Sequence, residues 1–230
     1  MARRDGTDAL LIALAFGSGA VDAISFVGLG GVFTANMTGN LVLLGLAAGR
    51  GSGSGVVRTA VSVAAFAAGV FVASRIAGPP RRTRRWPREI VIALTTGVVA
   101  QAALLAGWLA RSGRPEGSLQ VALVGLSAAA MGLQTGAVRA LAVPGISTTY
   151  VTGTLSGLVG ELAVSAGSER DRVRRGAVVG GLTAGAACGV LLVRHARCLA
   201  PVLPLAVALF VIAAAISRGR PEDRGGLDPS

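Results

Sequence analysis

The amino-acid sequence predicts an all-α fold, a polytopic membrane helix bundle that forms a single domain. Of its 230 residues, 52% are hydrophobic and only 14% are charged, whereas a soluble domain is typically about 25% charged. Apolar runs of about 20 residues recur along the whole chain, and that is the length that crosses a bilayer as a helix. The composition therefore favours an integral membrane protein and leaves no room for a second, soluble domain.

Eight apolar segments follow one another along the chain. They are residues 9–29, 31–49, 57–74, 90–110, 119–143, 145–164, 177–193 and 200–217. The first has the basic start and apolar middle of a signal peptide, but the apolar pattern resumes at once after it. We therefore interpret it as an uncleaved first helix.

The net charge of +11 is explained by topology. All 22 of the lysine-plus-arginine residues are arginines, and most of them lie in short links such as RIAGPPRRTRRWPRE and SAGSERDRVRRG. Arginines in short links determine which side of a membrane each link occupies, whereas a nucleic-acid site needs a continuous basic face. The charge pattern therefore indicates membrane topology, and no nucleic-acid partner is expected.

The arginine distribution favours six net crossings with both termini in the cytoplasm. If all eight segments crossed, 13 arginines would lie inside and 8 outside, with Arg139 omitted as intramembrane. If residues 9–49 and 119–164 each make one net crossing, 15 lie inside and 6 outside. The second division follows the positive-inside rule better, although seven or eight crossings stay open at this point.

Six crossings require the first segment of each half of the chain to be broken or re-entrant. A continuous helix over residues 9–49 would be about 60 Å long, twice the hydrocarbon thickness of about 30 Å. The predicted break lies at GLGGVFTANMTGN. Residues 9–49 would then form either a full span plus a re-entrant hairpin or two half-helices. The second predicted break is LAVPGISTTYVTG, where Pro144 has no backbone N–H for a continuing helix.

The two breaks belong to an internal repeat. Aligning Thr38-Gly39-Asn40 with Thr152-Gly153-Thr154 gives an offset of 114 residues. Repeat 1 then covers about 9–110 and repeat 2 about 119–217, with 218–230 as a disordered tail. Because each repeat would contain three net crossings, we expect the two to be inverted about a pseudo-twofold axis in the membrane plane. This is the architecture of many secondary transporters.

The sequence resembles the YoaK family of small bacterial membrane proteins. The similarity lies in GAVDAISFVGLGGVFTANMTGNLVLLGLA, residues 19–47, and in MGLQTGAVRALAVPGISTTYVTGTLSGLVGELA, residues 131–163. The order of the segments is similar over nearly the whole chain. The resemblance implies a multi-pass protein of the bacterial plasma (inner) membrane with about six or seven helices. It implies no substrate and no catalytic residues.

Two ionisable residues lie inside predicted spans, Asp22 and Arg139. An ionisable group at the centre of a membrane helix costs about 2.5–3.5 kcal/mol on insertion scales, so it is expected to be paired or to face water. The offset places Ser25, three residues from Asp22, opposite Arg139, and we expect the two charges to approach each other. Asp22 would sense a proton or cation with Arg139 as counter-ion or anion anchor, or the two would form a static structural pair.

The polar residues around the two breaks are the other candidates. Half-helix N-termini attract anions, while threonine and asparagine at these positions equally serve as helix caps with no ligand. Two glutamines within spans, Gln101 and Gln134, bridge helices or line a pathway. The predicted binding residues are Asp22, Asn36, Thr38, Gly39, Asn40, Gln134, Arg139, Thr149, Tyr150, Thr152, Gly153 and Thr154.

The favoured function is a small secondary transporter or permease that moves an unidentified small solute. A non-transporting scaffold, a lipid-binding protein and a channel are the alternatives. An enzyme is not expected, because GTLSG at 153–157 lacks the G-x-S-x-G spacing of a nucleophile elbow. Cys188 and Cys198 have no ligand spacing, so no metal or cofactor is expected. The expected partners are membrane lipids and the solute, and homo-oligomerisation is left open.

Overall fold

The computed structural model describes residues 2–80, 86–141, 151–163 and 168–219, and it is helical without any strand over these ranges. The predicted all-α bundle is therefore confirmed. The helices are α1 (Ala2–Gly28), α2 (Met37–Gly49), α3 (Gly53–Ala77), α4 (Arg88–Leu109), α5 (Gly117–Ala140), α6 (Val151–Ala163), α7 (Glu169–His195) and α8 (Val202–Gly219), with a 3-10 helix, Arg197–Leu199, before α8.

Six helical stretches in the described parts of the chain are long and apolar enough to cross a membrane. They comprise α1 from Gly6 onward, α3, α4, α5, α7 and the stretch Arg197–Ser217 that includes most of α8. Of the other two helices, α2 has 13 residues and is therefore only about 20 Å long, while the described residues of α6 are Val151–Ala163. Since the hydrocarbon layer is about 30 Å thick, α2 cannot cross it alone. This agrees with the six-crossing prediction.

The first of two large apolar clusters shows which helix ends lie together. It joins Leu10 near the start of α1, Ala73 near the end of α3, Ile90 at the start of α4, Ala137 near the end of α5 and Val211 in the second half of α8. We call this end of the bundle the amino-terminal face.

The second cluster lies at the other end of the bundle, which we call the distal face. It joins the last turns of α1, α4 and α7 to the first turns of α5 and to the residues before α8, through Ile24, Leu104, Val193, Leu123 and Ala200. Consecutive long helices therefore alternate in direction. In particular, α5 runs antiparallel to α1.

Glycines form two close helix–helix seams. A Cβ on Gly132 of α5 would meet the Phe66 carbonyl oxygen of α3, and a Cβ on Gly185 of α7 would meet the Phe16 carbonyl oxygen of α1. Gly189 makes the same kind of approach to Ala20 one turn further on. Close backbone contact through small residues is the usual packing mode of membrane helices, because lipid supplies no hydrophobic force between them. The seams therefore join α3 to α5 and α1 to α7.

Two features of the helices follow the 114-residue spacing predicted from the sequence. α4 and α8 begin 114 residues apart, at positions 88 and 202, and Val151–Ala163, the described part of α6, is helical like the equivalent residues of α2. The two glycine seams correspond as well, because each joins the first long helix of one half to the second long helix of the other half.

Candidate functional site

The first predicted break is present, and it lies between α1 and α2. Residues 29–36, which we call the interrupted segment, are not helical. Gly30 and Gly31 have φ angles of 89° and 77°, a conformation that glycine adopts without steric cost. These turns bring residues 34–36 back beside Asp22, which lies six residues, or about 9 Å, before the end of α1. Of the two predicted forms, the protein has a full first span followed by a returning segment.

Asp22 holds the interrupted segment in place. Its Oδ1 accepts hydrogen bonds from the backbone N–H of Thr34 at 2.8 Å and of Ala35 at 2.7 Å, and its Oδ2 accepts one from Asn36 N–H at 3.1 Å. These amides directly precede α2, so the carboxylate also lies at the positive end of that helix dipole. The side chain that the sequence marks as costly in a span thus satisfies three backbone donors at membrane depth.

Asn40 and Ser62 satisfy the backbone of Phe33 in the same segment. The Asn40 Oδ1 accepts from Phe33 N–H at 3.0 Å, and its Nδ2 donates to the Phe33 carbonyl at 2.7 Å. Nδ2 also lies 3.0 Å from Ser62 Oγ on α3, and that hydroxyl donates to the same carbonyl at 2.7 Å. Both side chains are fully buried. They compensate for the missing helical hydrogen bonds, as irregular backbone in a membrane requires.

Thr34 connects the interrupted segment to α5. Ser127 Oγ donates to Thr34 Oγ1 at 2.9 Å, and Ser25 Oγ lies 3.4 Å from the same oxygen. All three side chains are buried. A polar cluster therefore joins α1, the interrupted segment and α5 within the apolar bundle, and we call Asp22, Ser25, Thr34 and Ser127 the polar cluster.

A small cavity adjoins the polar cluster. Its volume is about 20 Å³, and its lining includes Ser25, Ser127, Gln101 of α4 and Trp108. About 10–15 Å³ is enough for one water molecule. Gln101 is only 8% exposed, and its Oε1 has no hydrogen-bond partner among the described residues. The cavity is thus polar on one side, water-sized, and next to an unused buried acceptor.

Gln134 links the two halves of the chain closer to the amino-terminal face. Its Nε2 donates to Ser18 Oγ at 3.0 Å and lies 3.5 Å from the Leu14 carbonyl, both on α1. The predicted role of this glutamine as a hydrogen-bonding bridge between helices is confirmed. It does not line the cavity beside Gln101.

The other predicted residues of the first half surround the start of α2. Asn36 is its N-cap, with Oδ1 accepting from Gly39 N–H at 3.2 Å. Thr38 is exposed, Gly39 is partly buried, and Asn40 is buried. In this half the capping alternative accounts for Asn36, and Asn40 serves the interrupted segment.

The predicted residues of the second half are only partly described. Thr149, Tyr150 and the break at Pro144 lie outside the described residues, as does the side chain of Thr152. Gly153 is exposed on α6, and Thr154 is buried. Their binding role stays a prediction.

The predicted approach of Arg139 to Asp22 is wrong. Thr34 contacts both Asp22 and Ser127, so Asp22 lies at about the depth of Ser127 in the bundle. Arg139 is twelve residues after Ser127 on α5, which is a distance of about 18 Å along the helix axis. Arg139 lies instead at the amino-terminal face, where it lines an open pocket with Arg75 and Gly78. Because α1 and α5 are antiparallel, residues that the 114-residue offset aligns lie in opposite halves of the membrane. Aligning Ser25 with Arg139 therefore predicts that Asp22 and Arg139 are far apart.

Several residues of the site were not predicted from the sequence. Ser25, Thr34, Ser62 and Ser127 are single hydroxyls in apolar helices or loops, and only their burial against one another distinguishes them from helix-capping serines. Trp108, which lines the cavity, is fully buried, and its Nε1 donates to the Arg197 carbonyl at 2.9 Å. In the described ranges, no three histidine, cysteine or acidic side chains are grouped as metal ligands.

Comparison with known proteins agrees with the membrane fold. Residues 10–216 match the family model described as "Protein of unknown function (DUF1275)". The chain is also 36% identical over 154 residues to "UPF0700 transmembrane protein YoaK" of Bacillus subtilis (strain 168), a match that spans 67% of this chain and 66% of the relative. No solved structure matches significantly. The resemblance to the YoaK family is thereby confirmed: the chain belongs to the DUF1275 family and is a multi-pass membrane protein.

Proposed function

We propose that the protein is a small secondary transporter of the bacterial plasma membrane, with its solute site at the cavity beside the polar cluster. The observation that carries this proposal is the interrupted segment at membrane depth, which adjoins a small cavity with polar groups on one side and a buried acceptor on Gln101 that has no partner among the described residues. Transporters commonly form their sites where broken helices expose backbone and polar side chains inside the bundle. The solute itself is unidentified.

We infer that the two halves of the chain are inverted repeats, and this inference supports the proposal. The 114-residue spacing between the starts of α4 and α8 and the antiparallel course of α1 and α5 are what two inverted three-crossing units would produce. In such proteins one unit moves against the other around a fixed site. Here helices of different units meet at the two glycine seams, and we propose that movement of one unit against the other changes access to the water-sized cavity.

The proposed orientation places both termini in the cytoplasm. The amino-terminal face carries Arg75, Arg88, Arg139 and the four arginines of 170–175, whereas the distal face carries Arg50, Arg58, Arg111, Arg114, Arg194 and Arg197. Adding the arginines of 81–85 and the two chain ends makes the first group the larger one. By the positive-inside rule, the amino-terminal face is the cytoplasmic one.

Gln101→Leu tests the proposed site. The substitution keeps the size of the side chain but removes both polar groups, and we expect solute flux to fall about tenfold, as for one lost hydrogen bond in the transition state. Ligands would first be found by thermal stabilisation across a metabolite library. Flux of the hits, and of H⁺ and Na⁺, would then be measured in proteoliposomes.

Thr183→Val is the matched control. Thr183 lies exposed on α7 and donates only to its own helix at the Val179 carbonyl, so this polar-to-apolar change should leave flux unchanged. Equal flux in wild type and Gln101→Leu, with both proteins folded, would refute the proposed site. Single-channel currents in place of saturable flux would identify a channel.

A further inference from the structure

A groove lies between α4 and α8, apart from the proposed transport site. It opens at the amino-terminal face and has a volume of about 600 Å³. Its walls include Val91, Thr95 and Val99 of α4 and Ile216 of α8, with Trp86 and Arg88 at the mouth. Val99 is 64% exposed and Ile216 is 49% exposed, so both side chains face outward from the helix bundle.

The groove has the length of one lipid leaflet. Eleven residues separate Arg88 at its mouth from Val99 at its inner end, a rise of about 16 Å along α4. The hydrocarbon layer is about 30 Å thick, so each leaflet contributes about half of it. A single acyl chain that begins at the level of Arg88 would therefore reach the level of Val99.

The wall of the groove suits a hydrocarbon chain. The two threonines on it are satisfied within α4, since Thr95 Oγ1 donates to the Val91 carbonyl at 2.8 Å and Thr96 Oγ1 to the Ile92 carbonyl at 3.0 Å. Neither hydroxyl therefore requires a partner from the occupant. Below its mouth, the groove presents aliphatic side chains and self-satisfied hydroxyls.

The mouth of the groove suits an anionic headgroup. Arg88 is exposed, and no carboxylate lies within ion-pair distance of it in the described part of the chain. Glu89 follows it in sequence but does not line the groove. Trp86 lies at the same level, where indole rings are favoured at membrane interfaces. In the sequence, Arg81, Arg82, Arg84 and Arg85 come directly before it.

We propose that this groove binds an anionic phospholipid, with an acyl chain against α4 and α8 and the phosphate at Arg88. Basic pockets at helix ends are known to select anionic headgroups, and each arginine near the membrane surface contributes about as much as a fivefold change in binding. This site is independent of the proposed transport site, because its residues do not touch the polar cluster.

Lipid binding to the full-length protein would be measured by native mass spectrometry in detergent. The probes are dioleoylphosphatidylglycerol, dioleoylphosphatidylcholine with the same chains, and glycerol phosphate with none. Wild type should prefer the anionic lipid by about fivefold or more, and Arg88→Gln should reduce that preference about fivefold. Arg114→Gln, an exposed arginine at the distal face, is the matched control and should leave it unchanged.

A second variant tests the acyl-chain part of the site. Val99→Trp would fill the inner end of the groove at an exposed position without changing the charge, and it should weaken binding of both lipids. Equal binding of the two lipids by wild type, equal losses for Arg88→Gln and Arg114→Gln, or binding of glycerol phosphate as strong as that of the lipid would each overturn the proposal. A Val99→Trp protein that binds both lipids like wild type would overturn the groove as the chain's location.

Discussion

At the residue scale, Asp22 shows how a carboxylate is kept inside an apolar helix. It has no cationic partner at ion-pair distance among the described residues, and three backbone amides of the interrupted segment take that place. The energetic reason is reciprocal. The amides lack helical acceptors, the carboxylate lacks water, and each compensates for the desolvation of the other.

Asp22→Asn should destabilise the protein. The amide can still accept from Thr34 and Ala35, but its NH₂ group would replace the acceptor that serves Asn36. We expect a loss of about 1–3 kcal/mol in the free energy of unfolding, measured by denaturant or thermal unfolding in detergent. A loss of transport in this variant would therefore not by itself assign Asp22 to the solute.

Asp8→Asn is the control for Asp22→Asn on the same helix. Asp8 faces Arg170 and Arg174 at 3.8 Å and 3.5 Å near the amino-terminal face. Such ion pairs near a surface contribute about 0–1 kcal/mol. If both variants lost the same stability, the special role of Asp22 in holding the interrupted segment would be wrong.

At this scale, the sequence predicted residues whose role follows from their own position in a helix or break. It did not predict contacts between residues that are far apart in the sequence. Asp22 was chosen because an ionisable residue is costly in a span, and Asn40 because it lies beside the first predicted break, and both prove central. The partners Ser62 and Ser127 could not be predicted, because the rotation of α3 and α5 about their axes decides which serine faces inward. The depth of Arg139 in the membrane was predicted wrongly, because the alignment with Ser25 was used without reversing the direction of α5 relative to α1.

At the element scale, the glycine seams decide how the helices pack. A Cβ at Gly185 would meet backbone atoms of Phe16, which cannot rotate away as the end of a side chain could. A larger residue at this position would therefore require α1 and α7 to move apart as whole helices. Gly181, Gly185 and Gly189 lie on the face of α7 that approaches α1.

Gly185→Ala should destabilise the bundle, while Gly180→Ala on the same helix should not. The first substitution forces α1 and α7 apart, and overpacking of this kind costs about 1–3 kcal/mol. A Cβ at Gly180 meets nothing within 4 Å, so only the gain of about 0.5–1 kcal/mol from replacing a helical glycine applies. Apparent unfolding temperatures in detergent would compare the two. Shifts of the same sign and size would contradict the close seam.

The lengths of the elements were predicted better than their ends. The choice of six spans followed from the arginine distribution, and the break before Met37 followed from comparing the length of residues 9–49 with the thickness of the bilayer. The form of the break, a full α1 followed by a returning segment, depended on the turn at Gly30 and Gly31 and on Asp22, which act together only in three dimensions. The burial of Trp108 could not be predicted, because its packing partners come from α5 and from the residues before α8, far away in sequence.

At the scale of the whole molecule, the six spans fix which links share a face. The link between α2 and α3 and the link between α4 and α5 lie at the distal face, while the link after α3 and the end of α8 lie at the amino-terminal face. Antiparallel packing of consecutive spans, as seen in the two apolar clusters, thus places these parts of the chain at opposite faces.

Cysteine labelling should divide the links in this way. After Cys188 and Cys198 are replaced by serine, single cysteines at Ser54 and Ser118 should react with an impermeant maleimide added to intact cells. Single cysteines at Pro80 and Ser217 should react only after the cells are opened. Labelling of positions 54 and 80 from the same side would contradict the six-span topology, and a uniform reversal would contradict the proposed orientation alone.

The interrupted segment also has a consequence for how the chain is assembled during synthesis. Its tie to Asp22 spans only 12 to 14 residues, so the turn can close as soon as the first hairpin has left the ribosome. Its tie to Ser62 needs the next helix, and its tie to Ser127 needs a residue 93 positions later. We therefore expect α2 to be held first by the local carboxylate and to settle in stages, becoming resistant to proteolysis only after α5 is inserted.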